Sequence, residues 1–246
     1  MFTAEEREQI RAELVSAAQQ DRHIVAAAHL GSAALGREDA WSDIDLALSL
    51  APDSEAEAVV ADWTSRLYSN HNAVTHCDVR HGDTLYRVFL LRNTLQIDIS
   101  FWHAAKFRAV GPKFKPIFGV PNASSPAPSP SAPDLIGMSW LYALHIRSAI
   151  ERRELLKAEY MLSGMRNQML SLMCLRYGVC ALQGRGLDCL PEDVKQSLIG
   201  CFPSSLHADD LRGAFRATTL ALIEEIGQTD KELGDRLAPT LKELSL

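Results

Sequence analysis

The chain has 246 residues, 47% of them hydrophobic and 23% charged, and 25 Lys and Arg against 31 Asp and Glu leave a net charge of −6. The length allows one large domain or two modest ones with a sizeable core, and the composition excludes a chain disordered throughout. The acidic balance argues against a broadly basic nucleic-acid-binding surface, and no apolar run is long enough to span a membrane.

The opening stretch MFTAEEREQIRAELV is charged and amphipathic, unlike a secretory leader. The five cysteines, Cys77, Cys174, Cys180, Cys189 and Cys201, show no CxxC spacing, so neither a disulfide framework nor a zinc site is expected. A reduced, cytoplasmic chain fits both observations. Residues 4–20 predict an amphipathic helix, and the apolar run 23–30 predicts a strand that ends at Gly31. Residues 43–50 (DIDLALSL) alternate with period two, as a half-buried strand does, and 53–69 carry helical spacing of Val59, Trp63 and Leu67. Three further strands are expected in succession at 73–80, 84–91 and 95–102, joined by short polar turns. The basic stretch Lys106, Arg108, Lys113 and Lys115 that follows reads as a solvated loop.

The segment PNASSPAPSPSAPD at 121–134 holds five of the eleven prolines and excludes helix or central strand. It divides the chain into an expected catalytic domain over 1–120, a linker over 121–133, and a helical domain over 134–246. In the last, helices are expected at 134–152, 154–177, 191–200, 208–227 and 229–244. The paired glycines of Gly184-Arg185-Gly186 follow a helix and read as its cap and turn, not as a phosphate loop. The fold class is therefore α+β, a strand-containing domain followed by a helical bundle.

The chemistry concentrates in His29-Leu30-Gly31-Ser32, then Gly36-Arg37, then Ser42-Asp43-Ile44-Asp45-Leu46. A strand running into Gly31-Ser32 leaves backbone N–H groups open to close approach, and a helix starting there would favour phosphate oxygens. Strand alternation puts Asp43 and Asp45 on one face and Ile44, Leu46 and Leu48 on the other. Two carboxylates side by side repel unless a cation lies between them, and an all-oxygen pair suits Mg²⁺. On the strand at 95–102, Asp98 shares the polar face with Gln96 and Ser100. If that strand lies beside 43–50, three carboxylates converge and have the means to hold two ions, an arrangement suited to in-line phosphoryl displacement.

These residues, from Gly31-Ser32 through Ser42-Asp43-Ile44-Asp45-Leu46 to Asp98, resemble the nucleotidyltransferase superfamily of the DNA polymerase beta type over about residues 20–105. The resemblance implies a small mixed sheet flanked by helices, Mg²⁺ dependence, and transfer of a nucleoside monophosphate from ATP or another nucleoside triphosphate. By that analogy Gly31 and Ser32, with Arg37 and Ser42 nearby, hold the triphosphate. Asp43 and Asp45 bind metal and phosphates, and Asp98 binds the metal that activates the acceptor hydroxyl.

The helical domain bears on the acceptor. A 100° step along 154–177 gathers Leu155, Glu159, Leu162, Arg166, Leu170 and Met173 into one arc, so Glu159 and Arg166 lie on a mainly apolar stripe. Either Glu159 is a general base with Arg166 facing phosphate or acceptor, or the two form a structural ion pair. The first arrangement is similar to small-molecule antibiotic adenylyltransferases of the aminoglycoside and lincosamide type. The resulting expectation is an enzyme, monomeric or homodimeric, that moves AMP onto a hydroxyl of a small molecule and releases pyrophosphate. The alternatives are a protein- or RNA-directed nucleotidyltransferase of antitoxin type, and a silent nucleotide-binding module.

Overall fold

The computed structural model describes residues 1–125 and 130–246. The chain forms two compact units, Met1–Ala127 and Pro128–Leu246. Part of the linker expected over 121–133, residues 126–129, lies outside the described residues. Its first residues are hydrogen-bonded to the first unit: the Asn122 N–H donates to the Phe107 carbonyl and the Ser125 N–H to that of Ala109.

The first unit opens with α1 (Ala4–Gln20), started by a capping box in which Thr3 and Glu6 satisfy each other's backbone N–H groups. Strand β1 (Ile24–Leu30) runs directly into the short helix α2 (Gly31–Leu35). Then come β2 (Ile44–Leu50), α3 (Ala56–Asn70), β3 (Ala73–His81), β4 (Thr84–Leu91), β5 (Gln96–His103) and β6 (Phe114–Phe118). Among the described residues these make a six-stranded sheet in the order β3-β4-β5-β2-β1-β6. The sheet is mixed, because β2 and β5 pair parallel while the other neighbours pair antiparallel. The chain returns to β2 through α3 and the β3–β4 hairpin, long enough for the crossover that a parallel pair requires.

Strand β6 is the element that the basic-loop expectation misses. It pairs with β1 at the sheet edge, with Pro116 opposite Ala28 and Lys115 opposite His29. An edge strand tolerates a proline and charged residues because one of its sides needs no ladder partner.

Alternation along β2 and β5 sorts the unit's interior. Ile44, Leu46, Leu48, Ile97, Ile99 and Phe101 pack in one core with Leu14 of α1 and Trp63 and Leu67 of α3. The opposite face carries a smaller cluster of Ala26, Ala28, Ala47, Trp102 and Phe107, with Leu30, Tyr86 and Phe114 packed against it. Asp45 and Asp98 share that second face.

The second unit contains α4 (Ala132–Glu151), α5 (Leu155–Arg176), α6 (Glu192–Ser197), α7 (Ala208–Thr229) and α8 (Lys231–Leu244). Its core joins Ile146 and Ala149 of α4, Leu162, Met165 and Met169 of α5, and Phe215 and Leu222 of α7. Gly164 lets α5 pass close to α4, since a Cβ there would lie 2.6 Å from the Tyr142 ring. Glu225 of α7 is 2% exposed and receives two 2.8 Å bonds from the Arg176 guanidinium of α5, which meets the demand of a buried charge for a full partner. Gly186 is packed against the Cys180 backbone, so the paired glycines serve a tight turn after α5. No helix among the described residues is long and apolar enough to cross a membrane.

Candidate active site

Parallel pairing of β2 and β5 sets Asp45 level with Asp98 in the strand register. Asp43 lies two residues earlier, just ahead of β2, and the parity of the alternation brings it to the same face. One carboxylate oxygen from each of Asp43, Asp45 and Asp98 falls within 4.8 Å of the others. All three residues are partly buried. Burial pushes the Asp98 carboxyl up to about 6; the Gln96 amide opposes that rise and the Asp43 charge adds to it.

Gly31 closes the side of the trio next to Asp45. It opens α2 with φ at +59°, and a Cβ at this position would collide with the Asp45 carboxylate. The left-handed backbone and the contact both require glycine. At the other end of α2, Gly36 is also left-handed, with φ 63°. The backbone N–H of Arg37 then donates 3.0 Å to the Ser32 carbonyl, folding the loop back on the helix. The Arg37 side chain is exposed.

The loop that delivers Asp43 is tied down by its own residues. The Ser42 hydroxyl donates 3.0 Å to the Asp39 carboxylate and accepts from the Asp39 N–H at 2.9 Å. The Trp41 N–H donates to the same carboxylate at 2.9 Å. This N–H and the Ser42 hydroxyl hold the Asp39 carboxyl below the usual carboxylate range. Ser42, expected beside the triphosphate, thus spends its hydroxyl on the loop.

Helix α1 anchors the loop from outside. Arg7, 5% exposed, donates to the backbone carbonyls of Asp39 and Ser42, the latter at 3.2 Å, and its Nε lies 3.4 Å from Glu38. Arg11 pairs with the same Glu38. Burial and the Arg11 charge lower the pKa of His29, whose Nδ1 is buried without a hydrogen-bond partner. Arg7, Arg11, Glu38 and Gln96 carry no motif that marks them as site residues. The Asp39-x-x-Ser42 spacing, typical of a side-chain-capped turn, is the signal that would have found the loop brace.

In the second unit, Glu159 and Arg166 are joined on α5. Arg166 Nη2 lies 3.6 Å from Glu159 Oε1, and Ser163 bridges them, accepting from Arg166 at 2.8 Å and donating to Glu159 at 2.7 Å. Arg166 is 7% exposed, donates 3.0 Å to the Cys201 carbonyl and stacks on the Phe202 ring at 4.4 Å. Both terminal nitrogens and one face of this guanidinium thus meet groups of its own unit.

No family model matches the chain, and no curated protein does. Among solved structures, the chain is similar to an aminoglycoside 6-adenyltransferase from Bacillus subtilis, at 11% identity and a TM-score of 0.44, with 99% of each chain covered.

Proposed function

We propose that this chain is a Mg²⁺-dependent nucleotidyltransferase that moves AMP from ATP to a hydroxyl of a small molecule and releases pyrophosphate. The observation that carries the reading is the convergence of Asp43, Asp45 and Asp98 on one sheet face, with a glycine that only a bare backbone can satisfy against Asp45. Three carboxylates form a hard, all-oxygen donor set, which fits Mg²⁺ and leaves positions for water and phosphate oxygens. Asp43, Asp45 and Asp98 would hold Mg²⁺ as one or two ions, which would neutralise charge on the triphosphate and make the acceptor hydroxyl more acidic.

The protein's own groups then have distinct tasks. Gly31 and Ser32 offer the triphosphate the backbone N–H groups of the turn from β1 into α2. Arg37, exposed on the loop, supplies a positive charge to the same phosphates. Asp43 and Asp45 face the nucleotide, while Asp98 faces the acceptor, orients its hydroxyl and draws off the proton as the oxygen attacks the α-phosphorus. Ser42 acts through Asp39 to set the direction in which Asp43 enters the site. Of the two roles open to Glu159, the bridged contact with a buried arginine favours the structural ion pair.

The test uses ATP labelled at the α-phosphate, Mg²⁺ and a panel of aminoglycosides and lincosamides. Label recovered in a small-molecule product together with pyrophosphate supports the proposal. Label recovered in protein or RNA moves the activity to a macromolecular acceptor. Binding of ATP with no transfer to any acceptor makes the chain a silent nucleotide-binding module.

A further inference from the structure

The acid trio has one more side chain attached to it. Gln96 opens β5 and, two residues before Asp98, projects from the same sheet face. Its Nε2 donates 3.0 Å to Asp98 Oδ1 and 3.3 Å to Asp43 Oδ2. An amide nitrogen has two hydrogens, and these two bonds use both. The reverse orientation would set the amide oxygen against two carboxylates, so the direction of the amide is determined.

We infer that Gln96 is a positioning residue of the cation site, holding one oxygen of Asp43 and one of Asp98 so that the other oxygen of each is left to the ion. The inference rests on the reading of the trio as a Mg²⁺ site. Asp45 and Asp98 are fixed by the β2–β5 register, but Asp43 precedes β2 and has no ladder to hold it. A terminal carboxylate torsion is broad, so an aspartate at the end of a loop needs an outside partner to keep one orientation. Gln96 provides it by tying Asp43 to the strand that carries Asp98. Because the amide is neutral, it does this without cancelling the negative charge that draws a cation, as a lysine in its place would. Groups that orient metal ligands in this way typically affect metal affinity about 10–100-fold.

The experiment measures Mn²⁺ binding to the full chain by electron paramagnetic resonance, without nucleotide, in wild type, Gln96→Met and Asp45→Asn. Methionine keeps the length of the side chain and removes both donors at an exposed position, so the fold is retained. The expected result is a loss of Mn²⁺ affinity of about 10–100-fold in Gln96→Met. In transfer assays the same variant should need more Mg²⁺ for half-maximal rate, yet approach the wild-type rate at saturating Mg²⁺. Wild-type or tighter Mn²⁺ binding by Gln96→Met overturns the positioning role while leaving the cation site intact. A rate that stays low at saturating Mg²⁺ also overturns it. Failure of the wild type to bind Mn²⁺, or undiminished binding by Asp45→Asn, overturns the cation reading itself.

Discussion

Gly31 and Asp45 are in such close apposition that a Cβ on the glycine would collide with the aspartate's carboxylate. One residue is the end of β1 turning into α2, and the other is the second residue of β2. The site is therefore built where two neighbouring strands leave no room for a side chain between them.

Gly31→Ala tests this apposition. The substitution imposes a left-handed backbone on alanine and forces the carboxylate aside, at a cost of about 1–3 kcal/mol in unfolding free energy. Chemical denaturation should show that loss, and transfer should fall at least about 100-fold, as a displacement near 1 Å at a reacting centre does. Full activity in a folded Gly31→Ala protein would remove the glycine from the site.

The brace behind the loop makes a second prediction. Arg7→Met keeps the buried stem of the side chain but abandons the carbonyls of Asp39 and Ser42 and the carboxylate of Glu38. Losing these bonds, with Glu38 still paired to Arg11, should cost about 2 kcal/mol in denaturant unfolding. Transfer should weaken too, because the loop that delivers Asp43 loses its anchor. An unchanged unfolding midpoint would show that α1 does not hold the loop.

Much of this was legible in the sequence because the decisive signals are periodic. Alternation in DIDLALSL and in the run around Asp98 placed the acids on one face, and two strands of matching parity needed only to be neighbours for them to meet. The structure makes them neighbours, with Asp45 level with Asp98. Strand β6 was hidden because an edge strand of five residues with Pro116 and Lys115 shows no apolar alternation. The Arg7–Glu38 and Arg11–Glu38 pairs were hidden for a different reason: they join residues about thirty positions apart, and no local pattern encodes such a contact. Alternation places Gln96 on the polar face, but only the distances tie it to both Asp43 and Asp98.

Stability should depend on pH through His71. Burial lowers the pKa of this histidine, against the opposing influence of Glu13, whose carboxylate lies 3.8 Å away; Arg66 adds to the lowering. In the unfolded chain the imidazole titrates at about 6.5. Between the lowered folded value and 6.5 the unfolded chain binds a proton that the folded one does not, so the stability is complete above about 6.5 and declines as pH falls through that window. His29 contributes with the same sign. Asp98, raised to about 6, acts with the opposite sign over the same range, so the test is the difference: from pH 7.5 to 5.5 the urea midpoint of His71→Gln should gain on that of wild type, and equal slopes would contradict this.

Glu159→Gln separates the roles of the helical unit's acid. As half of a bridged pair with Arg166, it should tolerate the amide with a loss of about 1 kcal/mol and turnover within about threefold of wild type. Arg166→Met should be worse, at about 2–3 kcal/mol, because the Cys201 carbonyl and Ser163 lose the arginine's hydrogen bonds and Glu159 loses its counter-charge. A rate lowered by two or more orders of magnitude in a stable Glu159→Gln protein would instead make Glu159 the base.

The central claim, that the carboxylate trio performs nucleotidyl transfer, is tested most directly by the rate of pyrophosphate release with ATP, Mg²⁺ and an accepted small-molecule hydroxyl, compared between wild type and Asp45→Asn. Asparagine keeps the shape against Gly31 and removes the charge, so the protein should fold and bind far less cation, and the rate should drop by at least about 1,000-fold, roughly 4 kcal/mol of transition-state stabilisation. Release at the wild-type rate from a folded Asp45→Asn protein would contradict the account.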